Sequence, residues 1–205
     1  MSIGQNIKEG IVKLLGELVL ITAGVYLGIV ASNWNEQHNE TIKQKDFLKN
    51  LSMEIDSNQQ KLQQSLAYRE HVLKTSQELY HTLGKDRLQA GFWKSGGFQL
   101  ISGWKGIYIP PLENSVYQSG LISNTLQGLD FETIHAIAQV YNYQEEYKLW
   151  TRTLIFDKVT NIDNRINTAE ALSLFQPWAD IIGVEKSLMR RYSSAKTQLQ
   201  KKIKE

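Results

Sequence analysis

A run of apolar residues without a polar face lies near the N-terminus of the chain. Residues 18–31 carry no charge, and extension back to Leu14 and forward to Trp34 gives the roughly 20 residues that an α-helix needs to cross a bilayer. Apolar side chains occupy every side of such a helix, as expected in lipid or at a fully buried site. The pattern predicts a transmembrane helix over residues 14–34, after a short cytoplasmic tail, residues 1–13.

Three other interpretations of this run compete with an anchor. A buried core helix is also apolar on all sides, whereas an amphipathic surface helix needs a polar face that this run lacks. A cleaved signal peptide needs a clean apolar region and a small-residue cleavage site. Glu17 interrupts the start of the run, and no Ala-x-Ala follows it. We therefore expect an uncleaved anchor.

Polar and small residues of this helix give two sets of candidate sites. Glu17 lies within a turn of the predicted cytoplasmic end, and Trp34 follows the span, so both are candidates for the membrane–water interface. Gly24, Gly28 and Ser32 recur at intervals of four and share one face, where two helix backbones can approach closely. They are candidates for a homo-oligomer formed through the span, although glycine is also simply tolerated in membrane helices.

Beyond the span, the first soluble segment has the apolar spacing of a long helix. Residues 35–83 contain no glycine or proline, and Gly84 is expected to end the helix. The apolar seam has the intervals of a coiled coil, but Asn58, Arg69 and Ser76 interrupt it. We therefore expect a helix that faces other helices, without a strict two-stranded coiled coil.

Two further helices are predicted at residues 130–172, where Asp130 is a suitable N-cap, and at residues 184–204. The first soluble helix is roughly 70 Å long and the second about 65 Å by helical rise. We expect these two to form an antiparallel pair with the third helix packed on them. The predicted fold class is all-α, with the transmembrane helix continuing into an antiparallel bundle or coiled-coil hairpin.

An antiparallel pair would bring the turn at residues 175–182 back to within roughly 10 Å of the bilayer. This turn contains Phe175 and Trp178, and indole groups are frequent at the level of lipid headgroups. Trp178 is therefore a third candidate for the membrane interface. The alternative is that these aromatic side chains close one end of the helical core.

The connector between the first two soluble helices, residues 84–129, differs from them in composition. Seven glycines lie from Gly91 to Gly128, together with Pro110-Pro111 and many aromatic residues. We expect an irregular cap that packs on the helices, with a short strand or hairpin around residues 98–109. Such a cap either covers the end of the bundle or binds a ligand.

The chain carries no motif that would support a reaction. It has no cysteine, which excludes disulfides and thiolate nucleophiles, and its four histidines lack the spacing of metal ligands. It also lacks a phosphate-binding glycine loop and a nucleophile elbow. The formal net charge of +2 gives no basic field for nucleic acid. We expect no enzyme activity, no cofactor, no metal site and no nucleic-acid partner.

One motif flanks the span, and a second set of residues lies in the connector and in the predicted helix that follows it. Gly16-Glu17 enters the apolar run and Asn33-Trp34-Asn35-Glu36 leaves it. Further along the chain stand Tyr117, Ser119-Gly120, Tyr141 and Tyr143. Both sets resemble a family of uncharacterised single-pass bacterial membrane proteins that is common in Bacteroidota and neighbouring groups. Thr22 and Val25-Tyr26 depart from the purely aliphatic span of that family. The resemblance implies a topology with the larger part of the chain outside the cytoplasm.

The stretch from Ser32 to Ile42 has no lysine or arginine, which also favours export of the C-terminal part. We therefore expect a single-pass protein of the bacterial inner membrane. Residues 35–205 would form an extracytoplasmic helical domain that acts as a protein-interaction or scaffold module. The alternative is a ligand sensor that signals through a partner protein, because the tail is too short for an output domain. The expected partners are the lipid bilayer and an unidentified protein.

Overall fold

The chain divides into two compact units, Met1–Asp46 and Phe47–Glu205, called here unit 1 and unit 2. The structure is a computed structural model that describes the backbone of residues 3–204 and the side chains of residues 16–204. Helix α1, Ile3–Thr82, supplies residues to both units. The predicted cytoplasmic tail, residues 1–13, lies outside the residues whose side chains are described.

Unit 1 exposes its apolar side chains. Every side chain from Gly16 to Lys43 is exposed. An 18-residue window of this helix has a mean hydropathy of 1.4 and contains no buried residue. Among the described residues, this is the one helix that is long and apolar enough to cross a membrane, judged by length and composition.

The regular structure of unit 2 is helical, apart from one isolated β-bridge between Gly91 and Asn167, and residues 101–114 of the connector are irregular. The all-α fold class is thereby confirmed. After α1, the α-helices are α2 (Lys85–Gln89), α3 (Ser115–Ile122), α4 (Phe131–Thr151), α5 (Asp157–Thr160), α6 (Thr168–Ser173) and α7 (Trp178–Lys204). Two 3-10 turns, Gly97–Leu100 and Thr125–Gly128, lie in the connector, and a π-helical turn, Arg152–Phe156, joins α4 to α5.

The short strand expected around residues 98–109 is absent from the described connector, so that prediction was wrong. Gly97 and Gly103 have φ angles of 57° and 76°, in the left-handed region that favours glycine. A strand needs a continuous run of extended residues, and these glycines instead turn the chain. An added Cβ at Gly103 would lie 2.8 Å from His71 Nε2, which also requires glycine at this position.

The connector runs back along α1 in the opposite direction. Tyr68 Oη of α1 donates to the carbonyl of Gly106 at 2.7 Å. Further along the connector, Gly120 lies directly against the ring of Phe47, at the start of unit 2. Residue numbers thus fall along α1 as they rise along the connector. The chain therefore returns to the end of unit 2 at which it entered.

Helix α4 consequently starts at that end and runs parallel to α1. Tyr141 Oη of α4 donates to Glu54 Oε1 at 2.5 Å, and Asn58 Nδ2 donates to Gln144 Oε1 at 3.3 Å. The prediction that the first two soluble helices are antiparallel was wrong. The reason is that the connector is long enough to travel the length of α1, so it acts as a second antiparallel segment instead of a tight turn.

Helix α7 is the antiparallel partner of α1. Lys186 and Lys196 of α7 form ion pairs of 2.6 Å and 2.5 Å with Glu70 and Asp56 of α1, so the numbers rise on one helix as they fall on the other. The last turn of α7 lies near the start of α4, where Lys202 is 3.4 Å from Asp130. Unit 2 therefore has four segments that alternate in direction, in the order α1, the connector, α4 and α7.

The ends of two helices differ from the sequence-based expectation. Asp130 caps α4 as predicted, since its carboxylate accepts from the backbone N–H of Thr133 at 2.9 Å. The helical course that follows ends at Thr160 instead of residue 172. Helix α7 starts at Trp178 instead of residue 184. Pro177 directly precedes it, and the fixed φ and missing N–H of proline favour the start of a helix at this point.

Candidate functional site

The interior of unit 2 contains a series of polar side chains. They occupy seam positions of the long helices, and all of them are buried: Glu54, Asn58, Ser65, Arg69, Ser76, Gln144, Thr151 and Glu185. A buried polar group is costly unless it has hydrogen-bond partners, so each of these side chains constrains its neighbours. Six of these residues form three connected groups along the bundle, whereas Ser76 donates to the carbonyl of Leu73 in its own helix and Thr151 Oγ1 has no hydrogen-bond partner among the described residues.

The first group is an ion pair between α1 and α7. Arg69 Nε lies 3.1 Å from Glu185 Oε1, and the two side chains are 1% and 0% exposed. Arg69 also donates to the carbonyl of Tyr108 at 3.0 Å and to Tyr147 Oη at 3.3 Å. Ser65 Oγ donates to Glu185 Oε1 at 2.8 Å. This one arginine thus joins α1, the connector, α4 and α7.

Burial changes the protonation equilibria of this group. Removal of water raises the pKa of Glu185 above its ordinary value, and the nearby Arg69 guanidinium opposes that shift only in part. Burial likewise raises the pKa of the Tyr147 phenol, which donates to Glu185 at 2.8 Å. Arg69 Nη1 and Glu185 Oε2 have no hydrogen-bond partner among the described residues. The pair is therefore connected but incompletely satisfied.

The second group surrounds the carboxylate of Glu54, which caps the N-terminus of α3. Glu54 Oε2 accepts from the backbone N–H of Val116 at 2.7 Å and from Ser115 Oγ at 3.0 Å. The other oxygen accepts from Tyr141 Oη, and desolvation raises the pKa of that phenol. A carboxylate at a helix N-terminus satisfies free N–H groups, so Glu54 serves as a cap from another helix.

The third group uses amide side chains. Asn58 Oδ1 accepts from the backbone N–H of Glu113 at 2.8 Å, and Asn58 Nδ2 donates to the carbonyl of the same residue at 2.7 Å. Gln144 Nε2 donates to that carbonyl at 3.0 Å, and the phenol of Tyr192 donates to Gln144 Oε1. Glu113 lies in an irregular stretch of the connector without neighbouring strands. Side chains therefore supply the hydrogen-bond partners of its backbone N–H and C=O groups.

The turn before α7 is the centre of an aromatic cluster. Trp178 is 1% exposed and lies 5.0 Å from Phe175 and 6.2 Å from Trp104 between ring centroids. The guanidinium of Arg69 lies 5.9 Å from the centroid of the Trp178 ring. By helical rise, Arg69 lies about 33 Å along α1 from Phe47. Trp178 is thus inside the core and well away from the end of unit 2 that holds Phe47.

The membrane-interface interpretation of Trp178 is corrected accordingly, and the core-packing alternative holds. An indole that is covered by protein has no surface for lipid headgroups. The error came from the assumed direction of α4, because a parallel α4 carries the following turn away from Phe47. The aromatic connector joins the same cluster, where Phe98 stacks on Trp104 at 4.6 Å with an angle of 8° between the rings.

The candidate residues of the span are all exposed in unit 1. Added Cβ atoms at Gly24 and Gly28 would meet no atom within 4 Å. Both glycines and Ser32 lie on α1 with the four-residue spacing of one helix face. Trp34 is exposed and stacks on His38 with 6.3 Å between ring centroids. Their roles in helix pairing and at the interface, like that of Glu17, stay predictions.

Unit 2 also exposes apolar side chains around the π-helical turn. Leu149 and Trp150 at the end of α4 are exposed, and Phe156 ends the π turn with an exposed ring. The buried stripe of α4 passes through Tyr147 and Thr151, so Leu149 and Trp150 point away from the core. A half-exposed tryptophan is a typical anchor of protein interfaces.

No arrangement for metal binding occurs within residues 16–204, where no group of three or more His, Asp or Glu side chains could hold an ion. The two internal carboxylates, Glu54 and Glu185, are buried and engaged by neighbouring donors. The absence of enzyme activity stays a prediction.

Sequence reasoning identified Asn58, Arg69 and Ser76 as interruptions of the seam, but it did not place Asn58 and Arg69 in a network. Gln144, which pairs with Asn58, and Glu185, which pairs with Arg69, were not identified. A signal was present, since Gln144 lies on the apolar stripe of α4 and Glu185 precedes Leu188 and Tyr192 on that of α7. Polar residues at seam positions of separate helices are candidates for pairing with one another.

A comparison with protein-family models, with curated proteins and with solved structures finds no match to this chain.

Proposed function

We propose that this chain is a single-pass protein of a bacterial inner membrane, whose unit 2 is a protein-interaction module outside the cytoplasm. The observation that carries the proposal is the contrast between the two units. Unit 1 offers an apolar helix with no buried residue in its 18-residue window, whereas unit 2 has a core of its own with an internal polar network. The resemblance at Gly16-Glu17 and at residues 33–36 supports the same topology.

The interaction surface in this proposal is the exposed apolar set of Leu149, Trp150 and Phe156. Interfaces are enriched in aromatic anchors, and π-helical turns occur frequently at functional positions. The rigid network beneath α4 favours a module that presents a preformed surface, because little conformational entropy is then lost on binding. The ligand-sensor alternative has less support, since the connector rings are packed on one another and on the turn before α7.

Topology is tested with reporters fused after Glu205. We expect an alkaline phosphatase fusion to be active and a fluorescent-protein fusion to be dark, with the full-length chain resistant to carbonate extraction. A matched variant that lacks residues 16–34 should leave the membrane fraction. A product shortened by the length of the span, or release of the full chain by carbonate, contradicts the anchor.

The interaction role is tested by quantitative capture from membranes with the full chain. Trp150→Ala should lose specific partners that the parent chain captures. Trp93→Ala is the matched control, because Trp93 is also an exposed tryptophan of unit 2 but lies in the connector. Equal capture by all three chains contradicts the proposed surface. Ligand-dependent thermal stabilisation of unit 2 would favour the sensor instead.

A further inference from the structure

The two most exposed large apolar side chains of unit 2 lie at one end of it. Ile122, which is 83% exposed, ends α3, and Phe131, which is 78% exposed, begins α4. Leu121 beside Ile122 is also exposed. Burial of such side chains stabilises an assembly, so their position at one end of a well-packed bundle indicates a contact that covers them.

Contacts within unit 2 place these residues at the end where the chain enters it. Gly120, two residues before Ile122, lies against Phe47, the first residue of unit 2. Asp130, directly before Phe131, forms its ion pair with Lys202 of α7. The exposed apolar residues and the C-terminal turn of α7 therefore share this end, which we call the basal face.

The basal face combines these apolar side chains with basic ones. The last turn of α7 carries three lysines, Lys201, Lys202 and Lys204. Among the described residues of unit 2, the carboxylates beside these lysines are Asp130, which accepts from Thr133 and Lys202, and Glu132. Exposed aliphatic and aromatic groups beside lysines are the composition of protein surfaces that rest on membranes containing anionic lipid.

We propose that the basal face binds the surface of a bilayer that contains anionic lipids, an inference that rests on the proposed single-pass topology. Only residues 35–46 separate Trp34 from Phe47 along the chain, so insertion of the span keeps unit 2 attached to the same bilayer. Tethering converts docking into an intramolecular step with a high effective concentration, so a small apolar surface contributes more than it would in an untethered protein. Docking fixes which surfaces of unit 2 remain free for a partner.

The test uses single-cysteine variants of the full chain in nanodiscs, because the natural chain has no cysteine. Ile122→Cys and Phe131→Cys carry a nitroxide label, and collisions with oxygen and with a water-soluble nickel chelate are compared. Leu27→Cys in the span is the lipid control. Gln176→Cys, exposed at the opposite end of unit 2, is the water control.

We expect labels at positions 122 and 131 to collide preferentially with oxygen, as the label at position 27 does, while the label at position 176 prefers the chelate. Labels at 122 and 131 that behave like 176, with 27 in lipid, overturn the basal face and leave the proposed topology intact. Shielding of 122 and 131 from both reagents indicates a protein contact and also overturns it. A label at 27 that is exposed to water overturns both proposals.

The lysines provide a second readout. Lys201→Gln with Lys204→Gln should lower the ratio of lipid-contacting to water-exposed label at 122 by about fivefold for each lysine in anionic nanodiscs. The same pair should have little effect in zwitterionic nanodiscs. Lys74→Gln with Lys85→Gln, at the opposite end of unit 2, is the matched control and should change neither ratio. An equal loss with both pairs overturns the electrostatic part of the proposal.

Discussion

The two parts of helix α1 distribute their polar and apolar side chains in opposite ways. In unit 1, large apolar residues such as Leu20 and Tyr26 are exposed. In unit 2, the same helix buries Asn58 and Arg69. The first part thus exposes an apolar surface, whereas the second buries polar groups among the apolar residues of its seam. The second part is stabilised by specific partners within its own unit, whereas the first exposes an apolar surface that lipid covers in the proposed topology.

The comparison also separates two ways in which the polar groups of a helix obtain hydrogen-bond partners. A helix in lipid pairs its backbone N–H and C=O groups within itself, and its apolar side chains contact the hydrocarbon chains. The helix in unit 2 satisfies polar side chains through the connector and α7, as at Asn58 and Arg69. Substitutions of these residues should therefore change the free energy of unfolding of unit 2, whereas substitutions in unit 1 should leave it unchanged.

The largest expected effect is the loss of one partner from the buried ion pair. Arg69→Met should lower the free energy of unfolding of unit 2 by about 3–5 kcal/mol, because the Glu185 carboxylate is left buried without its counter-charge. Adding Glu185→Leu should recover most of that loss. The measurement is urea unfolding of the full chain in detergent micelles, followed by tryptophan fluorescence.

The control for this prediction is the exposed ion pair between Lys186 and Glu70, which joins the same two helices. Lys186→Ala should cost less than about 1 kcal/mol, since water screens exposed charges. A double variant as unstable as Arg69→Met alone would show that the arginine stem, and not its charge, holds the helices together.

The second effect concerns glycines that are close to other elements. An added Cβ at Gly120 would lie 2.5 Å from Phe47 Cζ, so Gly120→Ala should cost about 1–3 kcal/mol. Gly183→Ala on α7 meets no atom within 4 Å and should stabilise unit 2 by up to about 1 kcal/mol through helix propensity. Equal effects of the two substitutions in urea unfolding would contradict the close contact between α3 and α1.

A smaller effect is the pH dependence carried by Glu185. Because burial raises its folded-state pKa, the folded state binds more protons than the unfolded state between the two pKa values. The contribution of this group to stability is therefore fully present below its unfolded pKa and falls as pH rises through the folded pKa. Unfolding free energies of the parent chain and Glu185→Gln, compared across this window, should show the difference decreasing with pH. An increase would mean that Arg69 dominates the shift.

The smallest effect is expected in unit 1. If Gly24 and Gly28 pair two spans, Gly24→Ile with Gly28→Ile should weaken self-association by about 1 kcal/mol in a membrane two-hybrid assay, because the branched side chains separate the backbones. Val19→Ile with Val30→Ile is the control, since both positions lie on the opposite face of the helix. Unit 2 should unfold identically in all three chains. Unchanged association would mean that the glycines are only tolerated.

Local patterns made several features predictable. The coiled-coil intervals of the predicted seam pass through Leu48, Leu51, Ile55 and Leu62, which are buried, and through Tyr80, which is exposed. The cap at Asp130 was also predictable, because capping depends on residues three apart in the chain. The early start of α7 was missed, since residues 175–182 were predicted as a turn, whereas Pro177 directly precedes the helix and suits its N-terminus.

The sequence by itself determined that residues 16–34 are helical and apolar, that unit 2 is all-α and that Asn58 and Arg69 are anomalous in an apolar seam. Only the tertiary structure decided that α4 runs parallel to α1, that Trp178 is buried far from Phe47 and that Arg69 pairs with Glu185. Periodicity records which face of a helix is buried, but it is identical for parallel and antiparallel neighbours. Direction and pairing are set by contacts between residues far apart in the chain, above all by the path of the connector along α1.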